Sequence, residues 1–414
     1  MFPFAPCEKL DTYNFGGNTA GSCTVGFMFE HLRGFQCIGA SKLVGYAHEI
    51  GLMANPSTAS IKMVYQDVIF TDNQRGITLR YGNDVTDDNT MVLRNSYFAG
   101  YSRPNCPTCY SEKKLKYCRN GYAVRMFAAT ISGESFPLVK RNVGFDVICT
   151  RQAYDMKSFL DNVTFENYRD SDPAVPYCTD MSVFRRHNIA SDSTGSVYLT
   201  NSPCINCEQN AWGWFEKPNT AWLGWFGGCG EFDCTGPNNY IIYDQDGSFT
   251  GRRSQILANN SMIGEKEPSC TFNQKMNGYY CLTEELAVME YESIAPDFDL
   301  RIMWPVWLKY DTGAWESRTN GWREWQWDGP EPMNRRLARF VSVVKLHQNY
   351  NLTYAGQPPS DSRFQIQKRL LPTGNASDWV IIRIYYPLPN SLEVLVKNTT
   401  GADIIVKPFP INNG

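Results

Sequence analysis

The chain has 414 residues, 43% of them hydrophobic and 14% aromatic, enough for a packed core and for two or three domains. Its 39 basic and 42 acidic residues leave a net charge of -3, and no Lys/Arg block is long enough to follow a phosphate backbone, which argues against nucleic acid as a partner. The uncharged stretch over residues 14–29 is interrupted by Gly16, Gly17, Gly21 and Gly26 and is too short and polar to span a bilayer, so no membrane span is read in this chain.

In chain order, Asn18-Thr19-Ala20-Gly21-Ser22 and residues 45–52 read as early strands, and residues 64–79 as two apolar strands around an Asp72-Asn73 turn. Three segments then repeat one pattern: Asp67-Val68-Ile69-Phe70-Thr71-Asp72-Asn73, Asn95-Ser96-Tyr97-Phe98-Ala99-Gly100-Tyr101 and Asn162-Val163-Thr164-Phe165-Glu166-Asn167-Tyr168. Each places Asp or Asn before a β-prone piece whose Phe is fourth, with a polar or Gly turn after it, which is how a rung of a parallel β-helix reads. From Asp67 to Asn95 is 28 residues, one rung with a loop, whereas Asn95 to Asn162 is 67 and requires a long insertion or weaker rungs. Ordinary edge strands of a sandwich are the competing reading.

The pattern lapses over residues 102–140, a Cys- and Lys-bearing excursion expected to be a disulfide-stapled surface loop. A second excursion is expected over residues 204–234, where Trp212, Trp214, Trp222 and Trp225 lie among glycines and cysteines. After residue 297 cysteine is absent, and tryptophan concentrates at Trp304, Trp307, Trp315, Trp322, Trp325 and Trp327. Residues 340–346, 364–368, 380–386 and 392–396 alternate as strands between Pro/Gly/Asn turns. The expected architecture is all-β: a parallel β-helix over residues 1–297, then a Trp-rich segment and a small antiparallel sandwich-like domain over 298–414. That domain is expected on the end of the solenoid, where it would cover unpaired strands and apolar core.

The cysteines are Cys7, Cys23, Cys37, Cys106, Cys109, Cys118, Cys149, Cys178, Cys204, Cys207, Cys229, Cys234, Cys270 and Cys281. Their even number, their Gly/Pro/Asn-rich settings and the lack of nearby His favour disulfides and a secreted or cell-surface protein. Zinc is the competing reading for Cys106-x-x-Cys109 and Cys204-x-x-Cys207, which have ligand spacing. Sequons at Asn162, Asn259, Asn351, Asn375 and Asn398 fit the same compartment and make N-linked glycans an expected attachment. Asn162 also lies in a rung motif, where it reads equally as a turn or ladder asparagine. Met1-Phe2-Pro3-Phe4-Ala5-Pro6-Cys7 has no basic region and no sustained apolar core, so the chain is expected to be a mature or partial piece of a longer precursor.

Several segments, in order, resemble a known family. They are Asn18-x-Ala20-Gly21-Ser22-x-x-x-Gly26-Phe27, Ala47-His48-x-x-Gly51-Leu52, Asp72-Asn73-x-x-Gly76, Asn95-Ser96 with a following Gly and later Cys106, and Asp244-x-Asp246-Gly247-Ser248-Phe249-Thr250-Gly251. Together they look like the β-helix region of fibrocystin and fibrocystin-like ectodomains, a region similar in cell-surface and cell-migration-inducing hyaluronidases. Residues 340–367 and Ile382-Arg383-Ile384-Tyr385-Tyr386-Pro387 resemble the segment that follows it there. The resemblance implies a right-handed parallel β-helix on a large secreted or single-pass surface protein. In that family a Gly- and Trp-rich domain and earlier rungs precede this part and contribute to any activity, so no catalytic residue is carried over.

For chemistry, Asp244 and Asp246 are the nearest approach to the paired carboxylates of glycan hydrolysis. Followed by Gly247-Ser248 they read instead as a hydrogen-bonded turn, with Ca²⁺ on alternate oxygens as a minor alternative. The histidines, His31, His48, His187 and His347, sit in no metal or triad motif, and no other metal or cofactor is expected. Trp315, Trp322, Trp325 and Trp327 are candidates for stacking on sugar rings, weighed against a hydrophobic plug between domains. The functional expectation is an extracellular structural glycoprotein that self-assembles into a filament, surface coat or ciliary appendage. A carbohydrate-active enzyme and a monomeric adhesion or receptor ectodomain are the alternatives.

Overall fold

The computed structural model describes residues 16–21, 25–30, 37–46, 50–55, 62–71, 73, 75–81, 90–100, 142–149, 156–169, 181–188, 195–215, 240–258, 269–282, 286–293, 306–310, 316–319, 338–354, 362–367, 379–384, 394–397 and 403–406. Among these residues the protein is all-β and centred on a large mixed sheet. The first part advances in repeats. β1 (Thr19–Gly21) and β2 (Val25–Glu30) are followed by β3 (Cys37–Ser41), β4 (Val44–Tyr46) and β5 (Ile50–Asn55), then by β6 (Lys62–Gln66), β7 (Ile69–Thr71) and β8 (Arg75–Tyr81). Next come β9 (Thr90–Ala99) and β10 (Asn142–Cys149), β11 (Met156–Glu166) and β12 (Met181–Asn188), and then β13 (Gly195–Thr200), β14 (Cys204–Ile205), β15 (Gly213–Phe215) and β16 (Tyr240–Asp244). Each strand pairs in parallel with its counterpart one repeat on, along β1-β4-β7-β9-β11-β13-β16 in the large sheet and β2-β5-β8-β10-β12-β15 in a second.

The step is 25 residues from Thr19 to Val44 and again to Ile69, and 28 from Ile69 to Tyr97. The 67-residue step from Asn95 to Asn162 is bridged by a direct side-chain hydrogen bond between them. The three repeated segments therefore stack in register, with Phe70 opposite Phe98 and Phe98 opposite Phe165. Residues 204–205 and 213–215, expected to open an excursion, instead pair with β11 and β12, so the chain is still stacked at Phe215.

A backbone corner explains the pattern. Lys42, Asp67, Asn95, Asn162 and Asn201 all have φ between 47° and 55°, one left-handed residue between two extended pieces. Asn and Asp tolerate this conformation because their short side chains hydrogen-bond locally. The bend turns the residues one and three positions later inward. Val68, Phe70, Phe98, Val163 and Phe165 are all fully buried. The Phe70 and Phe98 rings lie 5.7 Å apart, and those of Phe98 and Phe165 5.5 Å apart. Removing each such ring from water contributes roughly 1.5–3 kcal/mol.

Beyond β16 the pairing reverses. β17 (Ser254–Ala258), β18 (Cys270–Asn273) and β19 (Gly278–Cys281) extend the large sheet in antiparallel fashion. Further on, β20 (Leu286–Ser293), β21 (Val306–Tyr310), β22 (Glu316–Thr319), β23 (Ala338–Lys345), β24 (Gln348–Tyr354), β25 (Ser362–Gln367) and β26 (Val380–Ile384) form two small sheets, β23-β20-β25 and β22-β21-β24-β26. β27 (Val394–Lys397) and β28 (Asp403–Val406) pair separately. All these pairs are antiparallel except β24–β26, and β20 joins these sheets although it precedes residue 298.

The C-terminal sheets lie on the flank of the stack, not on its end. The outward residues Val64, Val92, Phe159, Tyr198 and Tyr243 face one another in successive repeats. They share one buried cluster with Leu286, Met289, Leu308, Val344, Leu346, Tyr350 and Leu352. Phe159, Tyr198 and Tyr243 stack at 5.2 and 5.0 Å. The large sheet is thus covered on both faces here, which is why its strands carry apolar residues on both. Replacing the fully buried Phe98 by Ala is expected to cost about 3–5 kcal/mol, read as a lowered denaturant midpoint.

Candidate functional site

The distinctive polar construction among the described residues is the loop that follows β16. Its logic starts one repeat earlier. In the early repeats the corner N–H is met by the next repeat: Lys42 donates to the Gln66 carbonyl at 3.1 Å and Asp67 to the Arg94 carbonyl at 3.0 Å. The residue after the corner is met in its turn, Val68 N–H donating to Ser96 Oγ and Val163 N–H to Ser202 Oγ, both at 3.2 Å.

At Asn201 and Ser202 there is no further corner to accept these bonds, and side chains of the loop stand in for it. Gln245 N–H donates to the Leu199 carbonyl at 3.1 Å, the last backbone bond of the parallel register. Asn201 N–H then donates to Asp246 Oδ2 at 2.6 Å, and Ser202 N–H to Ser248 Oγ at 2.7 Å. Ser248 Oγ in turn donates to Asp246 Oδ1 at 2.7 Å.

Asp244 holds the loop in shape from within. Its register position continues the inward line of Tyr65, Leu93, Leu160 and Leu199. Its Oδ1 accepts from the N–H groups of Gly247 and Phe249 at 3.1 and 3.4 Å, and its Oδ2 from the N–H and hydroxyl of Thr250, both at 2.7 Å. Gly247 is required at its position: φ is 82°, and an added Cβ would come within 2.8 Å of Arg252 backbone atoms. The turn delivers Phe249, 3% exposed, into the core against Phe165, Phe184 and Trp212, with ring centroids 5.6–6.0 Å away.

Burial pushes the Asp244 carboxyl above the ordinary carboxylate range, against the lowering effect of the Thr250 and Phe249 hydrogen bonds, and the Asp246 charge adds to the rise. Asp246 moves the other way. Its partial burial raises it, but the donors from Asn201 and Ser248 together outweigh this and hold it below the usual range. The turn expected at these residues is what forms, and its oxygens are directed to loop and corner donors. Asp244 is 1% exposed and accepts within its own loop, so the two carboxylates do not flank an open cleft as glycan hydrolysis requires.

Cys204 and Cys207 are joined by a disulfide, which answers the zinc alternative for this pair, and Cys270 is joined to Cys281 across β18 and β19. Cys37 and Cys149 lie in β3 and β10. Cys7, Cys23, Cys106, Cys109, Cys118, Cys178, Cys229 and Cys234 lie outside the described residues, as do Trp315, Trp322, Trp325 and Trp327. The same holds for the sequons at Asn259, Asn375 and Asn398, whereas Asn162 is an exposed corner residue and Asn351 is half-buried in β24. Among the described residues no three His, Cys, Asp or Glu side chains are gathered as a metal ion would need, and no helix is long and apolar enough to cross a membrane. Sequence reading missed Asn201 and Ser202, the partners of the loop. Their signal was the Asn-Ser dipeptide that also stands at Asn95-Ser96.

No protein-family model matches the chain. It is similar to Fibrocystin-L of Homo sapiens, 23% identical over 207 residues, and to Fibrocystin-L of Mus musculus, 22% identical over 208, in each case across 41% of this chain. The similarity is weak support for a fibrocystin-like relationship, and the chain spans about 5% of the length of these relatives.

Asp246→Asn is expected to lower stability by about 0.5–1.5 kcal/mol at neutral pH, measured by urea unfolding. A folded-state value below the unfolded one makes the Asp246 contribution complete above about pH 4. It is lost as pH falls through the folded value, so the gap between wild type and variant closes in acid. Gly247→Ala is expected to cost about 1–3 kcal/mol at any pH, because the strain is steric and conformational.

Proposed function

We propose that the protein is an extracellular structural module, a right-handed parallel β-helix with flanking sheets that serves as part of a fibrocystin-like surface ectodomain. Parallel pairing at a nearly constant 25- to 28-residue step in the early repeats supports the helical winding. The Cys204–Cys207 and Cys270–Cys281 bonds and the similarity to Fibrocystin-L support a location outside the cell. The observation that carries the structural reading is the closed end: Asp246 and Ser248 take up the corner donors and Phe249 fills the core, a device for finishing a rigid stack.

This favours the monomeric ectodomain over the end-to-end filament. A filament grown by stacking copies needs both ends of the repeat array to offer free strand edges, and the β16 end turns instead into antiparallel β17. Self-assembly into a coat or appendage is then a matter of lateral contacts. Light scattering with negative-stain electron microscopy of the purified chain is expected to give the mass of one chain and short discrete particles. Long filaments at micromolar concentration would restore the self-assembling reading.

A further inference from the structure

Of the five left-handed corner positions, Asn162 alone begins an Asn-x-Ser/Thr triplet, because Asn95 is followed by Ser96-Tyr97 and Asn201 by Ser202-Pro203. We infer that Asn162 carries an N-linked glycan, so that one asparagine both tethers the repeat stack and displays a sugar at its corner. The inference rests on the extracellular reading above. Asn162 is exposed, while Val163 beside it is fully buried, so the corner fixes the amide on the outside of the wall.

The ladder bond and the glycan are compatible in atoms. Asn162 Nδ2 carries two hydrogens, and the hydrogen bond to Asn95 Oδ1, at 3.0 Å, uses one. Glycosyl transfer forms a bond from Nδ2 to the anomeric carbon of a lipid-linked oligosaccharide, breaks the bond of that carbon to the diphosphate oxygen, and releases the lipid diphosphate and one amide proton. The remaining N–H still donates to Asn95. A bulky, solubilising group at this corner holds that edge of the stack in water. Asn351 is a contrast: it is half-buried in β24 between two paired strands, beside the fully buried Leu352.

The test uses the whole protein isolated from the cells that make it. Trypsin releases residues 158–169 as one peptide in which Asn162 is the only sequon, and enzymatic deglycosylation in heavy-oxygen water marks a formerly glycosylated Asn as labelled Asp. The expected result is that label at Asn162, with the Cys204–Cys207 bond intact by non-reducing peptide mapping. Thr164→Ala, which keeps the Asn162 amide and its bond to Asn95, is expected to abolish the label without moving the thermal midpoint by more than a few degrees. An intact Cys204–Cys207 bond with Asn162 unlabelled overturns the glycan assignment alone. Reduced Cys204 and Cys207 with no labelled sequon overturns the extracellular reading and this inference together.

Discussion

The structure depends on one backbone event per repeat, a single left-handed residue placed in register with its counterparts. At Lys42, Asp67, Asn95, Asn162 and Asn201 the chain bends without breaking the parallel pairing on either side. Because strand side chains alternate, the bend sets which residues face the core on both arms. The aromatic column from Phe70 to Phe165 follows, as does the outward column from Val64 to Tyr243 that the C-terminal sheets cover. A corner shifted by one residue would turn the whole of the next arm inside out.

A stack of this kind has no natural stopping point, since every repeat leaves the same donors for a successor. The loop from Asp244 to Gly251 supplies the stop by chemical imitation. A carboxylate replaces the carbonyl that would have met Asn201, a serine hydroxyl occupies the role that Ser96 and Ser202 play earlier, and a phenylalanine replaces the next ring. The buried Asp244 is tolerated because its oxygens accept from the loop it organises. The Asp244–Gly251 motif thus has a mechanical explanation in its own residues.

Once parallel addition has stopped, the antiparallel strands and the small sheets turn back along the side of the stack. Burial of Phe159, Tyr198 and Tyr243 against Leu308, Val344 and Tyr350 makes that flank a second core. The disulfide between Cys204 and Cys207 lies on the other arm of the repeat, where β14 pairs with β11. It closes a loop between residues three apart in sequence beside that pairing, while the stack itself is held by its parallel register and by packing on the flank.

The three Phe-bearing segments were legible as stacked units because their repeat is local: a corner residue, a buried neighbour and a ring within four positions. The earliest repeats were harder to read, since Lys42 replaces the asparagine and Gly45 stands where later repeats carry Phe. The Asp244 turn was readable, but its purpose was not, because its partners Asn201 and Ser202 lie 45 and 46 residues back. Nor does alternation along a strand reveal that both faces are buried, so the covering of Val92, Phe159 and Tyr198 waited on three dimensions. Local conformational preference is written in neighbouring residues, whereas the destination of a hydrogen-bond donor or an outward ring depends on which distant segment arrives beside it.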